Sequence, residues 1–235
     1  MVENVEIHPV NQESTAGLIA EQLRTAITNG SFVPGQQLGE AELAAQFQVS
    51  RGPLREAMQR LVQEGLLHSI RHRGLFVIEL EPEDIFDIYS ARAAVERAAV
   101  MRIMRDDYSA AADQLEAVHL MMRKAAKAKD DKGISDADLD FHQTLVEASG
   151  SRRLVRMAKT LLVETRMCLA ALQRTYGITD ERIVEHGKIV EAIRTGEERK
   201  VLRLLDAHMD DAIQRLAPRI RLRRITAQTK ATKTE

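Results

Sequence analysis

Residues 49–57 read Val-Ser-Arg-Gly-Pro-Leu-Arg-Glu-Ala, and this stretch decides how the N-terminal part of the chain folds. Ser50 is a residue type that caps helices, and Pro53 is tolerated in a first helical turn. Apolar side chains then recur at helical spacing, at Leu54, Ala57, Met58 and Leu61. The stretch therefore predicts the first turns of an amphipathic helix that ends at Gly65.

Two more helices precede this helix, and a hairpin follows it. The sequence predicts helices over residues 14–29 and 40–47, each with apolar side chains on one face. Two short apolar runs, 66–70 and 75–80, then enclose Arg71-His72-Arg73-Gly74, where the glycine suits a tight turn. Three short helices and a hairpin are the layout of a winged helix-turn-helix, whose last helix enters the major groove of DNA.

Arginines on the third helix and at the hairpin tip are the candidate nucleic-acid contacts. Arg51 and Arg55 lie four residues apart on one helix face, and an arginine can bind guanine or phosphate through two hydrogen bonds. The Ser50 hydroxyl can donate to a phosphate, and Gly52 would let the backbone approach DNA closely. The hairpin tip would carry three more residues to flanking phosphates or the minor groove, namely Arg71, His72 and Arg73.

Positive charge is concentrated in the segment that would contact nucleic acid. The whole chain has 34 Lys and Arg against 35 Asp and Glu, so its net charge does not argue for or against nucleic acid. Residues 1–78 carry six Arg and eight Glu, but residues 51–73 carry five Arg and two Glu. The alternative is that these arginines only solvate a helix face and a turn.

Several motifs support the nucleic-acid interpretation. They lie at residues 23–30, 34–40, 43–44, 49–57, 61, 64–67 and 73–74. Over residues 14–80 they resemble the DNA-binding domain of the GntR family of bacterial transcription regulators. The resemblance implies DNA contacts by Ser50, Arg51, Gly52, Pro53, Arg55 and Gly74. Some members have a basic residue where this chain has Ala41, so a phosphate contact is absent there.

Composition predicts a mostly α protein with a second, all-helical domain. Hydrophobic residues make up 44% of the 235 residues and aromatic residues only 3%, which favours helices over sheets. Every segment after Pro82 has a helical pattern; Ser135 can cap the third of these helices, and the sixth and last helix ends before Pro218. We therefore expect a winged helix-turn-helix over residues 1–80, a six-helix bundle over 81–218, and a basic, disordered tail over 219–235.

Sequence features also indicate the compartment. Cys168 is the single cysteine, which excludes a disulfide framework and a Cys-rich zinc module. No run of about 18 apolar residues appears, and the first ten residues lack the apolar core of a signal peptide. We expect a soluble, cytoplasmic protein that has no membrane partner.

Histidines in the helical half suggest a metal site. Asp138 and His142 lie four residues apart and share a helix face, while His186 and His208 lie on apolar stripes of later helices. If they converge, the four form a three-His, one-carboxylate site for a divalent ion, with zinc first and nickel, manganese or iron as alternatives. Taken singly, each histidine is more often a hydrogen-bonded core residue than a metal ligand.

Three motifs in this half carry a second resemblance. They are residues 138–150, residues 185–196, and Ala207-His208 with Ala212. Residues 83–217 thereby resemble the FadR C-terminal domain (FCD), in its shorter, VanR-like, six-helix version. The resemblance implies that Asp138, His142, His186 and His208 bind the metal. Ser151 departs from the pattern, since many members have Asn there, and this makes ligand identity less transferable.

Family members of this kind sense small organic acids. The resemblance makes Arg92 a candidate for binding an anionic effector, and Arg166 is a second candidate. The alternative for Arg92 is a surface ion pair with Glu96, four residues later.

The sequence thus predicts a homodimeric regulator that binds a pseudo-palindromic operator and responds to a small carboxylate bound at a metal. Three alternatives stay open. The metal itself could be the signal, the chain could be a metalloenzyme fused to a winged helix, or the site could be vestigial or metal-free. The metalloenzyme alternative is weakened because the sequence has no additional general base at a spacing from the ligands that would indicate catalysis.

Overall fold

The computed structural model describes residues 14–172 and 180–231. Contacts divide the chain into two units, with the main boundary between Ile78 and Glu79; residues 28–30 group with the second unit. We call residues 14–78 the winged unit and the remainder the helical unit, and we describe each by itself. Among the described residues, no helix is both long and apolar enough to cross a membrane.

Three helices and a small sheet form the winged unit. Its elements are α1 (Thr15–Thr28), β1 (Gln37–Leu38), α2 (Glu40–Phe47), α3 (Arg51–Gln63), β2 (Leu67–Ile70) and β3 (Gly74–Val77). All strand pairs are antiparallel, in the order β1-β3-β2, with Leu38 opposite Leu75 and Leu67 opposite Val77. The predicted helices and hairpin are confirmed. Strand β1 was not predicted, because two residues are too few to show an alternating pattern.

Apolar residues of the three helices and the hairpin form the core of the winged unit. The most buried include Leu23, Leu54, Leu61, Leu66 and Val77. At the edge of this core, Arg24 of α1 donates from Nε and Nη2 to the two carboxylate oxygens of Glu64, each at 2.8 Å. This bidentate pair fixes α1 against the end of α3.

Helices α4 to α9 form the helical unit. They span α4 (Pro82–Ile103), α5 (Tyr108–Lys127), α6 (Asp131–Ala148), α7 (Arg152–Leu172), α8 (Asp180–Arg194) and α9 (Glu198–Ala231). Helix α4 packs against α6, α7 and α9, and α5 packs against α6 and α8. The predicted mostly α fold class, a winged helix-turn-helix followed by six helices, is confirmed over the described residues.

Two predicted helix ends differ from the structure. Helix α6 begins at Asp131 instead of after Ser135, because the Asp130 side chain accepts a hydrogen bond from the Gly133 amide at 2.9 Å and caps the helix there. Helix α9 continues past Pro218 to Ala231, so residues 219–231 of the predicted disordered tail are helical. A proline removes one hydrogen bond from a helix and kinks it, but it need not end it. Residues 232–235 lie outside the described part.

Candidate metal centre and nucleic-acid interface

The structure brings the four predicted metal ligands together inside the helical unit. Helix α6 supplies Asp138 and His142 one turn apart, while α8 supplies His186 and α9 supplies His208. Each offers a ligand atom, and these atoms lie within 4.8 Å of one another. All four side chains are buried. The i, i+4 spacing and the two apolar stripes thus converge as the sequence predicted.

Hydrogen bonds on the outer side of the cluster orient all three imidazoles alike. In each ring Nδ1 lies close to an oxygen that can only accept a hydrogen bond. These contacts are His142 with Glu96 Oε2 (2.7 Å), His186 with the Arg182 carbonyl (2.7 Å) and His208 with Glu185 Oε2 (3.0 Å). Each Nδ1 therefore carries a proton, and in the neutral form of each ring Nε2 has a lone pair to offer.

The three Nε2 atoms face one another and Asp138. His142 Nε2 lies 3.2 Å from His208 Nε2, and His186 Nε2 lies 3.4 Å from an oxygen of Asp138. Within the described chain, the buried His186 Nε2 has no hydrogen-bond partner. Lone pairs this close repel unless a cation lies between them. Three neutral imidazoles and a carboxylate are a ligand set that zinc and related divalent ions prefer.

Lowered pKa values favour the deprotonated, metal-binding form of three of these residues. Burial lowers the pKa of His142, and it lowers the pKa of His186 well below the usual range. Burial alone would raise the pKa of Asp138, but Arg182 and the neighbouring imidazoles hold it well below its usual range. At neutral pH these buried residues are thus ready to bind a cation without losing a proton.

Arg92 lies beside the cluster and is buried. Its Nε donates to Glu96 Oε1 at 3.1 Å, its Nη1 donates to Thr165 Oγ1 at 3.2 Å, and its guanidinium lies over the Tyr89 ring. The Arg92 Nη2 is buried without a hydrogen-bond partner among the described residues. The pair with Glu96 considered from the sequence therefore exists, but it is 2% exposed and not on the surface.

Of the two arginines Arg166 and Arg182, only Arg182 contacts the cluster. Arg166 pairs with Asp136 at the partly exposed side of α7, and the structure does not bring it to the cluster. Arg182 instead is buried and donates from Nη2 to Asp138 Oδ1 at 3.0 Å. Sequence reasoning missed Arg182, although it lies one helical turn before His186 and so shares its face.

A close contact between two helices positions α8. The His119 Nε2 on α5 lies 2.9 Å from the Ile183 carbonyl of α8, which accepts its hydrogen bond. A Cβ atom at Gly187 would lie 2.9 Å from the His119 ring. Glycine at this position therefore allows the approach that holds Arg182 and His186 in place.

The predicted DNA-contacting residues lie at the surface of the winged unit. Seven are exposed and Pro53 is half-buried; the exposed ones are Ser50, Arg51, Gly52, Arg55, Arg71, Arg73 and Gly74. Ser50 occupies the N-cap position of α3, but its side chain makes no capping hydrogen bond. Its hydroxyl is therefore not used by the helix.

Neighbouring side chains orient two of these arginines. Arg55 donates from Nε to Glu40 Oε2 at 2.7 Å, which holds it against the start of α2. The Arg73 guanidinium lies 5.3 Å from the centre of the Phe76 ring. Gly74 has φ of 102°, a conformation that favours glycine, and a Cβ there would press on the Gln37 amide that binds the Arg73 carbonyl.

Two family models match the chain. The model described as bacterial regulatory proteins of the gntR family matches residues 15–77, and the FCD domain model matches residues 87–211. The second match alone covers more than half of the chain.

Curated relatives and solved structures agree with these matches. The gluconate operon transcriptional repressor of Bacillus licheniformis is 29% identical over 86% of this chain and 85% of its own length. The Nta operon transcriptional regulator of Aminobacter aminovorans is 38% identical over 55% of this chain and 61% of its own. A GntR transcriptional regulator from Rhodococcus sp. RHA1 is 26% identical, with a TM-score of 0.76 over 86% of this chain and 96% of that one. Escherichia coli McbR/YncC shares the fold, with a TM-score of 0.76 at 21% identity.

Proposed function

This chain belongs to the GntR family of DNA-binding bacterial transcription regulators, within its FCD branch, and we propose that a small organic acid bound at a metal ion controls its binding to an operator. Like its named relatives, it is a transcriptional regulator and not an enzyme. The gluconate operon relative is called a repressor. We infer that this chain also represses, in the cytoplasm, where the operator lies.

One pair of observations carries the proposal. The buried His186 Nε2 has a lone pair that no described group uses, and the buried Arg92 Nη2 has N–H groups that no described acceptor uses. Unmatched buried polar atoms are costly, so they indicate absent ligands. A divalent cation would satisfy the first, and the carboxylate of an acid bound to that cation would satisfy the second. Zinc is our first choice of metal, with nickel, manganese or iron as alternatives.

The proposed metal ligands are Asp138, His142, His186 and His208. The metal would hold the acid and polarise its carboxylate, while Arg92 would bind a free oxygen through its planar guanidinium. The exposed positions of the winged unit, from Ser50 to Arg55 and from Arg71 to Gly74, would bind the operator. We assign effector binding to Arg92 rather than to Arg166, which is paired elsewhere with Asp136.

The proposed homodimer would bind a pseudo-palindromic operator, one winged unit per half-site. One surface of the helical unit suits a second copy, and we call it the α4/α7 face. Its acidic end holds Glu83, Asp84, Asp87 and Glu164; its basic end holds Arg102, Arg152, Arg153 and Arg156.

Contacts support both ends of the α4/α7 face. At one end, burial together with Asp84 and Asp87 raises the pKa of Glu164, which indicates close carboxylates. At the other, Arg102 Nε donates to the Ser149 carbonyl at 3.1 Å, next to the start of α7. Large exposed apolar side chains accompany the charges, namely Met101 and Met157. A two-fold axis across the face would place each acidic end on a basic end.

Titration of an operator complex tests the proposed control. Zinc-loaded full-length protein is bound to a labelled fragment from upstream of its own gene, and small carboxylates are added singly at fixed salt. We expect one of them to change DNA affinity by about 5–150-fold, the usual range of allosteric coupling. His186→Ala and Arg92→Met should lose this response while still binding DNA, and Arg166→Met is the matched control that should keep it.

Two results would contradict the proposal. If zinc alone changes DNA affinity and no acid does, the metal is the signal and no effector acts there. If both His186→Ala and Arg92→Met respond like the unmodified protein, the effector binds elsewhere.

A further inference from the structure

One carboxylate in the helical unit binds two of the residues discussed above. Glu96 uses Oε1 to accept from Arg92 Nε at 3.1 Å and Oε2 to accept from His142 Nδ1 at 2.7 Å. Its side chain is 2% exposed, so water does not compete for either bond. The same side chain therefore touches the arginine with an unmatched N–H group and a ligand of the candidate metal centre.

We propose that Glu96 is a positioning residue that couples the metal centre to the anion-binding arginine, because its single carboxylate orients both His142 and Arg92. This inference rests on the proposed function. The bond from Nδ1 keeps the His142 proton away from the metal side and leaves Nε2 to coordinate. The bond from Arg92 keeps the guanidinium beside the cluster.

Coupling follows from the shared carboxylate. With a metal bound at Nε2, His142 would lose electron density and its Nδ1–H would become a stronger donor, which would pull Glu96 Oε2 towards the ring. The hydrogen bond between Arg92 Nε and Glu96 Oε1 would then change in length. By thermodynamic reciprocity, an anion that attracts Arg92 must affect metal binding through the same carboxylate. Each site would therefore respond to the occupancy of the other.

Glu185 provides a matched comparison within the same unit. It does for His208 what Glu96 does for His142, since its Oε2 lies 3.0 Å from His208 Nδ1. Its other oxygen lies 3.5 Å from Arg215 and does not contact Arg92. Both carboxylates should therefore support metal binding, but only Glu96 should connect the metal to Arg92.

The test uses full-length protein and two measurements that need neither DNA nor an effector. The first is zinc affinity, measured by competition with a chelator at fixed pH. The second is the ¹H–¹⁵N NMR signal of Arg92 Nε–H, assigned by its absence in Arg92→Lys. In unmodified protein we expect zinc to shift this signal. In Glu96→Gln we expect zinc affinity to fall by about 10–100-fold, as for other groups that orient metal ligands, and the shift on zinc loading to vanish.

The control separates coupling from simple support of a ligand. Glu185→Gln should also lower zinc affinity, but its Arg92 signal should shift with zinc as in the unmodified protein. If Glu96→Gln fails to fold, Glu96→Asp serves instead, since it keeps the charge but is too short to keep both bonds. Unchanged zinc affinity in the Glu96 variant, or an Arg92 signal that still shifts with zinc, would overturn the role of Glu96. An unmodified protein that binds none of zinc, nickel, manganese and iron would overturn the proposed metal centre as well.

Discussion

At the scale of single residues, the buried charges around the candidate ligands balance in pairs. Arg92 faces Glu96, and Arg182 faces Asp138, so the two ion pairs have no net charge. Burying a charge is costly unless a partner compensates it, and these pairs meet that requirement. A divalent cation among neutral imidazoles would add two positive charges. Metal binding should therefore itself raise the affinity of this site for an anion, and by reciprocity a bound anion should raise its affinity for the metal.

Another residue-scale prediction concerns DNA. Arg51→Ala should weaken operator binding by about 1–3 kcal/mol per half-site, because a bidentate arginine contact is lost, and a dimer loses it twice. Fluorescence anisotropy at fixed salt measures the change. Arg60→Ala is the matched control, since Arg60 is on the same helix but pairs with Glu56. Equal affinity of the Arg51 variant and the unmodified protein would remove α3 from the role of recognition helix.

Individual site residues were predictable from the sequence only where helical periodicity places them on a recognisable helix face. Asp138 and His142 are one turn apart, and His186 and His208 lie on apolar stripes, so periodicity found them. Glu96 and His142 are 46 residues apart, and their bond follows from helix packing that no local pattern encodes. The depth at which Arg92 is buried depends on the same packing, which is why a surface pair with Glu96 was an open alternative.

At the scale of elements, the α4/α7 face allows a direct test of the dimer. Changing Arg152 and Arg153 together to Glu would set acidic ends against each other in the proposed two-fold arrangement. Like charges across an interface cost several kcal/mol, so we expect dimer affinity to fall by about tenfold or more. Sedimentation over a dilution series measures this against the 26.4 kDa monomer. Lys188→Glu, on the exposed side of α8, is the control, and a double variant that dimerises as well as this control would exclude the face.

Element positions were predicted well where a helix has an apolar stripe, and poorly at element ends. Competing caps decide where a helix starts, and Asp130 competes successfully with Ser135 at α6 because Gly133 leaves room for its side chain. Strand β1 depends on pairing with β3, a contact between residues nearly 40 positions apart. Long-range pairing of this kind has no signature in two residues.

At the scale of the whole molecule, the candidate metal would stabilise one unit and not the other. Its ligands come from α6, α8 and α9, so an ion would join three helices of the helical unit and none of the winged unit. A ligand that binds only the folded state stabilises it by about 4 kcal/mol at 1,000 times its Kd. Stability should therefore rise unevenly along the chain when zinc is added.

Hydrogen exchange of the full-length protein with and without zinc tests this uneven effect. Amides of α6, α8 and α9 should become more protected with zinc, while those of α1 to α3 should not, and His186→Ala should abolish the difference. His72→Ala, at the exposed tip of the winged unit, should leave it unchanged.

The protection that zinc gives should also depend on pH. Burial lowers the folded-state pKa of His142 and His186. Just below pH 6.5, the ordinary histidine value, only the unfolded chain therefore takes up protons at these residues. The metal-free helical unit consequently loses stability as the pH falls from there. In zinc-loaded protein His142 and His186 stay unprotonated to a lower pH than the ordinary histidine value predicts, so protection should persist below pH 6.5. Equal protection of both units by zinc would contradict the site, and loss of all protection by pH 6.5 would contradict the effect of burial on these two histidines.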